Sequence, residues 1–266
     1  MVPPVSRRAR RAALGFFLAA LLLLTLPHPV PAQGADAPIA SPGVPAPSAA
    51  PAASAAPVAP VTPEGRKPLF TRSDLRFGAA AVGAIAASTL LDRQVGEEAP
   101  EENGGFARHV SHAAEHLGSP LYVGSALLAG YAAGRLLGDP ELRSDFARIG
   151  AGVAAAGAAA EAIKLAVGRS RPYETPGDAD VIRPFSGHTS FPSGHTTIAF
   201  ALAAGIDRET SARWVPWVVY PVAGLVGWSR LRDDKHWTSD VVAGALLGTW
   251  TAGKAISWIG RRAHAR

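Results

Sequence analysis

From about residue 70 onward, apolar positions recur in runs long enough for helices and at helical spacing, interrupted by short polar clusters. The pattern predicts helices over 73–91, 106–117, 120–137, 140–167, 192–206, 214–231 and 238–259. Pro120, Pro140 and Pro192 stand at first helical positions, where a missing N–H costs nothing. Gly104-Gly105, Gly138-Asp139 and Gly177-Asp178 mark breaks, and no alternating strand pattern competes. The expected fold is therefore all-α, a bundle of about six core helices plus one amphipathic helix over 106–117. Many core positions are small, as in the Ala- and Gly-rich run 151–160. Such faces occur in tightly packed soluble bundles and in membrane helices alike.

Ahead of the bundle the composition changes twice. Arg7, Arg8, Arg10 and Arg11 precede an apolar run over 13–26, and Val30-Pro31-Ala32 offers a small-residue cleavage site. Residues 1–32 are expected to be a secretory signal, with an uncleaved anchor as the alternative. Residues 33–68 are rich in Ala, Pro, Ser and Val with almost no charge, the composition of a disordered or polyproline-like linker. Residues 69–266 form the helical domain. Without the four leader arginines the formal charge falls from +5 to +1. No sustained basic face remains for nucleic acid, which is set aside as a partner. The chain has no cysteine, so disulfides and thiol catalysis are excluded.

The chemistry concentrates between residues 164 and 240. Lys164 and Arg171-Pro172 close the long helix pattern over 140–167. Phe191-Pro192-Ser193-Gly194-His195-Thr196 opens another, with Ser190 as its expected cap, which would leave the amides of Ser193, Gly194 and His195 free for an anion. Ser229-Arg230 leads to His236 and Asp240, four residues apart and on one face if the last helix has begun. Several cations, an amide nest, two histidines and one carboxylate, without an acidic cluster for magnesium or calcium, suit a metal-free reaction on phosphate. Lys164, Arg171, Arg230 and the Ser193 and Gly194 amides would neutralise the phosphoryl oxygens. His236 would attack phosphorus with Asp240 fixing its tautomer, and His195 would serve as the acid and then the base.

In spacing, these three clusters resemble the three-part signature of the type 2 phosphatidic acid phosphatase and vanadium haloperoxidase superfamily, in order and with no departure at a motif position. The resemblance directly covers residues 164–240. It implies a helical bundle, phosphate binding by Lys164, Arg171, Ser193, Gly194 and Arg230, and catalysis by His195, His236 and Asp240. The expected activity is metal-independent hydrolysis of phosphate monoesters or pyrophosphates, with a phosphorylated lipid or small phosphate ester as substrate and no cofactor. Vanadate would enter the same cradle as a phosphate mimic. The alternatives are a vanadate-dependent haloperoxidase and a non-catalytic phosphate-binding envelope protein.

Other features draw plainer readings. His109, His112 and His116 share one face of the amphipathic helix and are read as a polar face rather than a metal site, since zinc usually draws ligands from more than one element. His188 and Arg183 fall in the loop before Phe191, a loop that either lies over the site or merely connects. Asp233 and Asp234 are read as a solvated turn. The six tryptophans suit an interfacial belt or ordinary packing. Counting crossings from an outside N-terminus puts the first cluster inside and the Arg-rich tail outside, against the positive-inside tendency. The expectation is thus an exported periplasmic or envelope protein, soluble or membrane-associated, with an integral membrane protein as the alternative.

Overall fold

The computed structural model describes residues 70–92, 105–210 and 212–264, which fold as seven α-helices with no strand among them. They are α1 (Arg72–Ser88, continued by a 3-10 turn over Thr89–Leu91), α2 (Gly105–Gly118), α3 (Pro120–Leu136) and α4 (Pro140–Val167), followed by α5 (Gly194–Glu209), α6 (Pro216–Arg232) and α7 (Thr238–His264). The expected signal segment, the 33–68 linker and the acidic stretch over 97–102 lie outside the described residues.

Local chemistry sets the ends. Asp139 caps α4 by accepting from the Glu141 and Leu142 amides at 3.1 and 3.0 Å, and Pro140 fills the first helical position. Gly168 terminates α4 in the left-handed conformation, with φ 60°. A Cβ there would lie 1.9 Å from the Arg183 carbonyl oxygen, so the following loop can fold back closely onto the helix end. The 192–206 prediction needs correcting at its start. Pro192 follows a cis peptide with Phe191, Ser193 is the N-cap, and the helix begins at Gly194.

α5 is the central element: every residue from Thr196 to Ile206 except Phe200 is buried. It shares a core with α3, α4 and α6 through Leu127, Phe146, Ile149, Leu202, Ile206, Val219 and Val226. Each large aliphatic side chain so buried contributes about 1.5–3 kcal/mol, against up to about 1 kcal/mol for an exposed ion pair. The fold therefore rests on this cluster. α7 lies against α5 with almost no space between them. A Cβ at Gly248 would stand 2.2 Å from the Thr197 oxygen, and one at Gly244 would stand 2.6 Å from the Ser193 oxygen.

α1 behaves differently. Its only buried residue is Ser88, while Leu75 and Val82 on the helix and Leu90 in the turn face outward. Residues 72–91 and α4 are each long and apolar enough to cross a membrane, with only 6% and 22% of those stretches buried inside the protein. Much of the apolar surface is therefore turned away from the core.

Candidate active site

The three sequence clusters meet at one end of the bundle. Lys164, in the last turn of α4, sits beside the start of α5, so that a Cβ on Gly194 would lie 2.8 Å from its Nζ. The same Nζ donates to Glu161 at 2.7 Å. The first hydrogen bond of α5 runs from the Thr197 amide to the Ser193 oxygen, leaving the Gly194, His195 and Thr196 amides without partners inside the helix. Those amides and the Lys164 ammonium are the kind of groups that can receive an anion. The set lies one residue later than expected: the Ser193 amide donates to the Asp240 carbonyl at 3.0 Å, so it is already used. Ser190 is not the cap either. Its hydroxyl donates to Asp240 Oδ2 at 2.5 Å.

His236 and Asp240 do not share a helical face, because α7 starts at Thr238 and His236 lies in the preceding turn. The fold nevertheless brings them together, with His236 Nδ1 3.5 Å from Asp240 Oδ2. At that length it falls outside ordinary hydrogen-bond geometry, and the buried Nδ1 has no other partner. Catalytic hydrogen bonds are commonly long before substrate arrives. Burial lowers the His236 pKa, and Asp240 opposes that shift. For Asp240, burial alone would raise the carboxyl. His236, Arg169 and Ser190 more than offset it and hold the group below its ordinary range.

His195 projects from the first turn of α5. Burial, then the positive charge of Arg230, pushes its imidazole down to about 4, with Glu115 opposing. Arg230, itself buried, donates to Glu115 at 3.1 Å and to Asp233 at 3.4 Å. Asp233 also accepts from the Ser111 hydroxyl at 2.9 Å, which corrects its reading as a solvated turn. α2 comes this close because Gly118 is bare; a Cβ there would meet the His195 oxygen at 2.7 Å. Arg171 donates to Thr189 Oγ1 at 3.3 Å, and its charge acts on His236.

The loop between α4 and α5 is pinned rather than loose. Arg169 and Ile182 form an isolated antiparallel bridge, and the Ser190 amide donates to the Arg169 oxygen at 3.0 Å. His188 Nδ1 lies 3.1 Å from Glu174, and Arg183 is exposed. On α2, His112 and His116 meet edge to face at 5.1 Å and His116 packs on Tyr122 at 4.5 Å. Among the described residues, no group of three or more His, Cys, Asp or Glu side chains is arranged to hold a metal ion.

All eight residues singled out in the sequence fall at this end of the bundle. Three further neighbours of these residues were missed, Asp92, Glu115 and Arg169, and Ser190 was read only as a helix cap. Arg169 stands two residues before Arg171 in the same cluster, where a third cation was the available signal. Asp92, directly after an apolar run, carried none.

Comparison with known proteins bears on the family and the fold. The PAP2 superfamily model matches residues 145–263. A decaprenylphosphoryl-5-phosphoribose phosphatase from Mycolicibacterium smegmatis is 36% identical over 138 residues, covering 52% of this chain and 69% of the relative. The chain belongs to the PAP2 superfamily. A lipid A 1-phosphatase from Porphyromonas gingivalis is 37% identical over 99 residues, which are 36% of this chain and 20% of that protein. The chain spans less than half the length of most curated relatives that it matches. In fold, it resembles the transmembrane PAP2-type phosphatidylglycerolphosphate phosphatase from Bacillus subtilis. The TM-score is 0.50 at 20% identity, over 71% of this chain and 94% of the other.

Proposed function

We propose that this PAP2 protein is a metal-independent phosphatase that releases phosphate from lipid phosphate monoesters or pyrophosphates through a phosphohistidine at His236. The observation that carries the reading is a buried imidazole whose Nδ1 faces Asp240, at the end of the bundle where Lys164, Arg171, Arg230 and unpaired α5 amides gather. With Nδ1 turned to the carboxylate, Nε2 is the nitrogen free to attack phosphorus. The cations and the Gly194 amide take the charge of the equatorial oxygens, with the Ser193 side chain beside them. As the N–P bond forms and the P–O bond breaks, His195 gives its proton to the leaving oxygen. Water then attacks the phosphohistidine, His195 takes the proton, and the N–P bond breaks to release inorganic phosphate.

Two things favour a lipid substrate. The named relatives act on lipid-borne phosphates by their descriptions, and α1 and α4 turn apolar surface outward in stretches of membrane-spanning length. The protein would thus work in or against a membrane, as an exported envelope enzyme. Phosphate release in the presence of chelator, from detergent-dispersed lipid phosphates and from a soluble aryl phosphate, tests the proposal. Chelator-resistant turnover that prefers the lipid and disappears in His236→Ala is expected. Turnover that requires added metal, or that survives in His236→Ala, would overturn it.

A further inference from the structure

Behind the proposed nucleophile lies a second, fully buried set of charges that the reaction steps do not use. Arg169 is 6% exposed and Asp92 is 1% exposed. Every face of the Arg169 guanidinium is engaged: Nε donates to the Ala179 oxygen at 2.9 Å, one Nη to Ser239 Oγ at 2.6 Å and Asp240 Oδ1 at 2.7 Å, and the other Nη to Asp92 Oδ2 at 2.8 Å. The guanidinium carbon also lies 5.5 Å from the centre of the fully buried Trp237 ring. Asp92 in turn accepts from the Ser239 amide at 2.8 Å and its hydroxyl at 2.6 Å, so the chain just past α1 caps the first turn of α7 from 147 positions away.

We infer that Asp92 and Arg169 are positioning residues for the proposed phosphoryl transfer, holding the Asp240 carboxylate in the orientation that His236 needs and tying α1 to the reaction. The inference rests on the phosphatase reading above. Asp240 shows why such a device is needed. Its Oδ2 already accepts from Ser190 Oγ and from the Trp237 amide at 2.9 Å, yet it must also face His236 Nδ1 at 3.5 Å. Only Oδ1 is left to fix the carboxylate plane, and Arg169 is its partner. A lone guanidinium there would place its full charge on Asp240 and weaken the hold on the imidazole. Asp92 shares that charge, giving an alternating line of Asp92, Arg169, Asp240 and His236. Buried charges without such partners are strongly destabilising, which accounts for the pairing of Asp92 with Arg169. A simple staple would satisfy the same cost, so the test must separate the two.

The test uses the full chain in detergent with Asp92→Asn and Arg169→Lys, each followed by two readouts beside a melting curve. On an aryl phosphate, kcat per folded enzyme should fall about 10–100-fold, by analogy with the loss of a group that orients a metal-ligating histidine, with KM little changed. Independently, the His236 ring is followed by NMR against pH after histidine-selective labelling, with His236→Gln for assignment. The charged groups facing that ring are Asp240 on α7, Arg171 from the loop and His195 on α5, with Arg169 and Asp92 acting through Asp240. Removing the Asp92 charge should move the His236 midpoint down, because less negative potential reaches the ring. Variants that melt earlier but keep the wild-type kcat and His236 midpoint would reduce the pair to a staple and overturn the inference. If Asp92→Asn does not fold, Arg169→Lys decides by the same readouts. If the unmutated protein turns over no phosphate, the phosphatase reading fails and the NMR midpoint alone decides the positioning claim.

Discussion

His195 has to be protonated to act as an acid, yet burial and Arg230 hold its imidazole at about 4. A phosphate dianion arriving beside it supplies the missing negative charge and raises that pKa. The basic limb of kcat, which reports the bound state, should therefore lie at higher pH than the basic limb of kcat/KM, which reports the free enzyme. Coincident limbs would contradict this assignment. The leaving group offers a second check. His195→Gln should lower kcat/KM, which reports the steps up to phosphohistidine formation and not its hydrolysis, by about 10²–10⁴-fold on an alkyl phosphate and by clearly less on an aryl phosphate, whose oxygen departs without a proton. Equal losses on both would remove His195 from the acid role. The same residue also makes stability depend on pH. Its folded pKa lies below the unfolded value of 6.5, so the unfolded chain binds more protons between about 4 and 6.5. Its stabilising contribution, on the order of 3 kcal/mol, is complete above that window and is lost as pH falls through it. A melting series should show this, and His195→Gln should reduce the slope, leaving the part due to His236.

Among the elements, the start of α5 decides the site. Gly194→Ala would bring a Cβ to 2.8 Å from Lys164 Nζ and push the ammonium away from the α5 amides. A flexible side chain can move, so the melting temperature should hold while kcat/KM falls. Gly248→Ala is different, because the collision is with the Thr197 oxygen at 2.2 Å, which is backbone. Separating α7 from α5 should cost about 1–3 kcal/mol, as overpacking does, read as a drop in melting temperature. These two positions also show what the sequence could and could not convey. Helix identity was legible because apolar period and Pro140 act locally, and α4 was anticipated to the residue. The start of α5 was not, since Pro192 follows a cis peptide and Ser190 bonds to Asp240, fifty positions away. The motif residues were recognisable by spacing. Asp92 and Glu115 were not, because they reach the site only through the packing of α1 and α2 against distant helices.

For the whole molecule, the outward apolar faces carry the argument. Leu121, Leu136 and Trp217 are 74%, 87% and 83% exposed, in addition to the apolar lengths of α1 and α4. Apolar surface on that scale calls for a partner phase. The protein should float with phospholipid vesicles and resist extraction by high salt; a monodisperse, detergent-free monomer would contradict membrane association. The central claim concerns His236 and can be tested at the level of a single bond. A substrate bearing labelled phosphate is mixed with enzyme, the reaction is quenched within one turnover, and the protein is digested under alkaline conditions that preserve phosphohistidine. The account predicts label on the peptide containing His236, absent in His236→Ala. Rapid turnover with no label on that histidine, or with label on another residue, would contradict it.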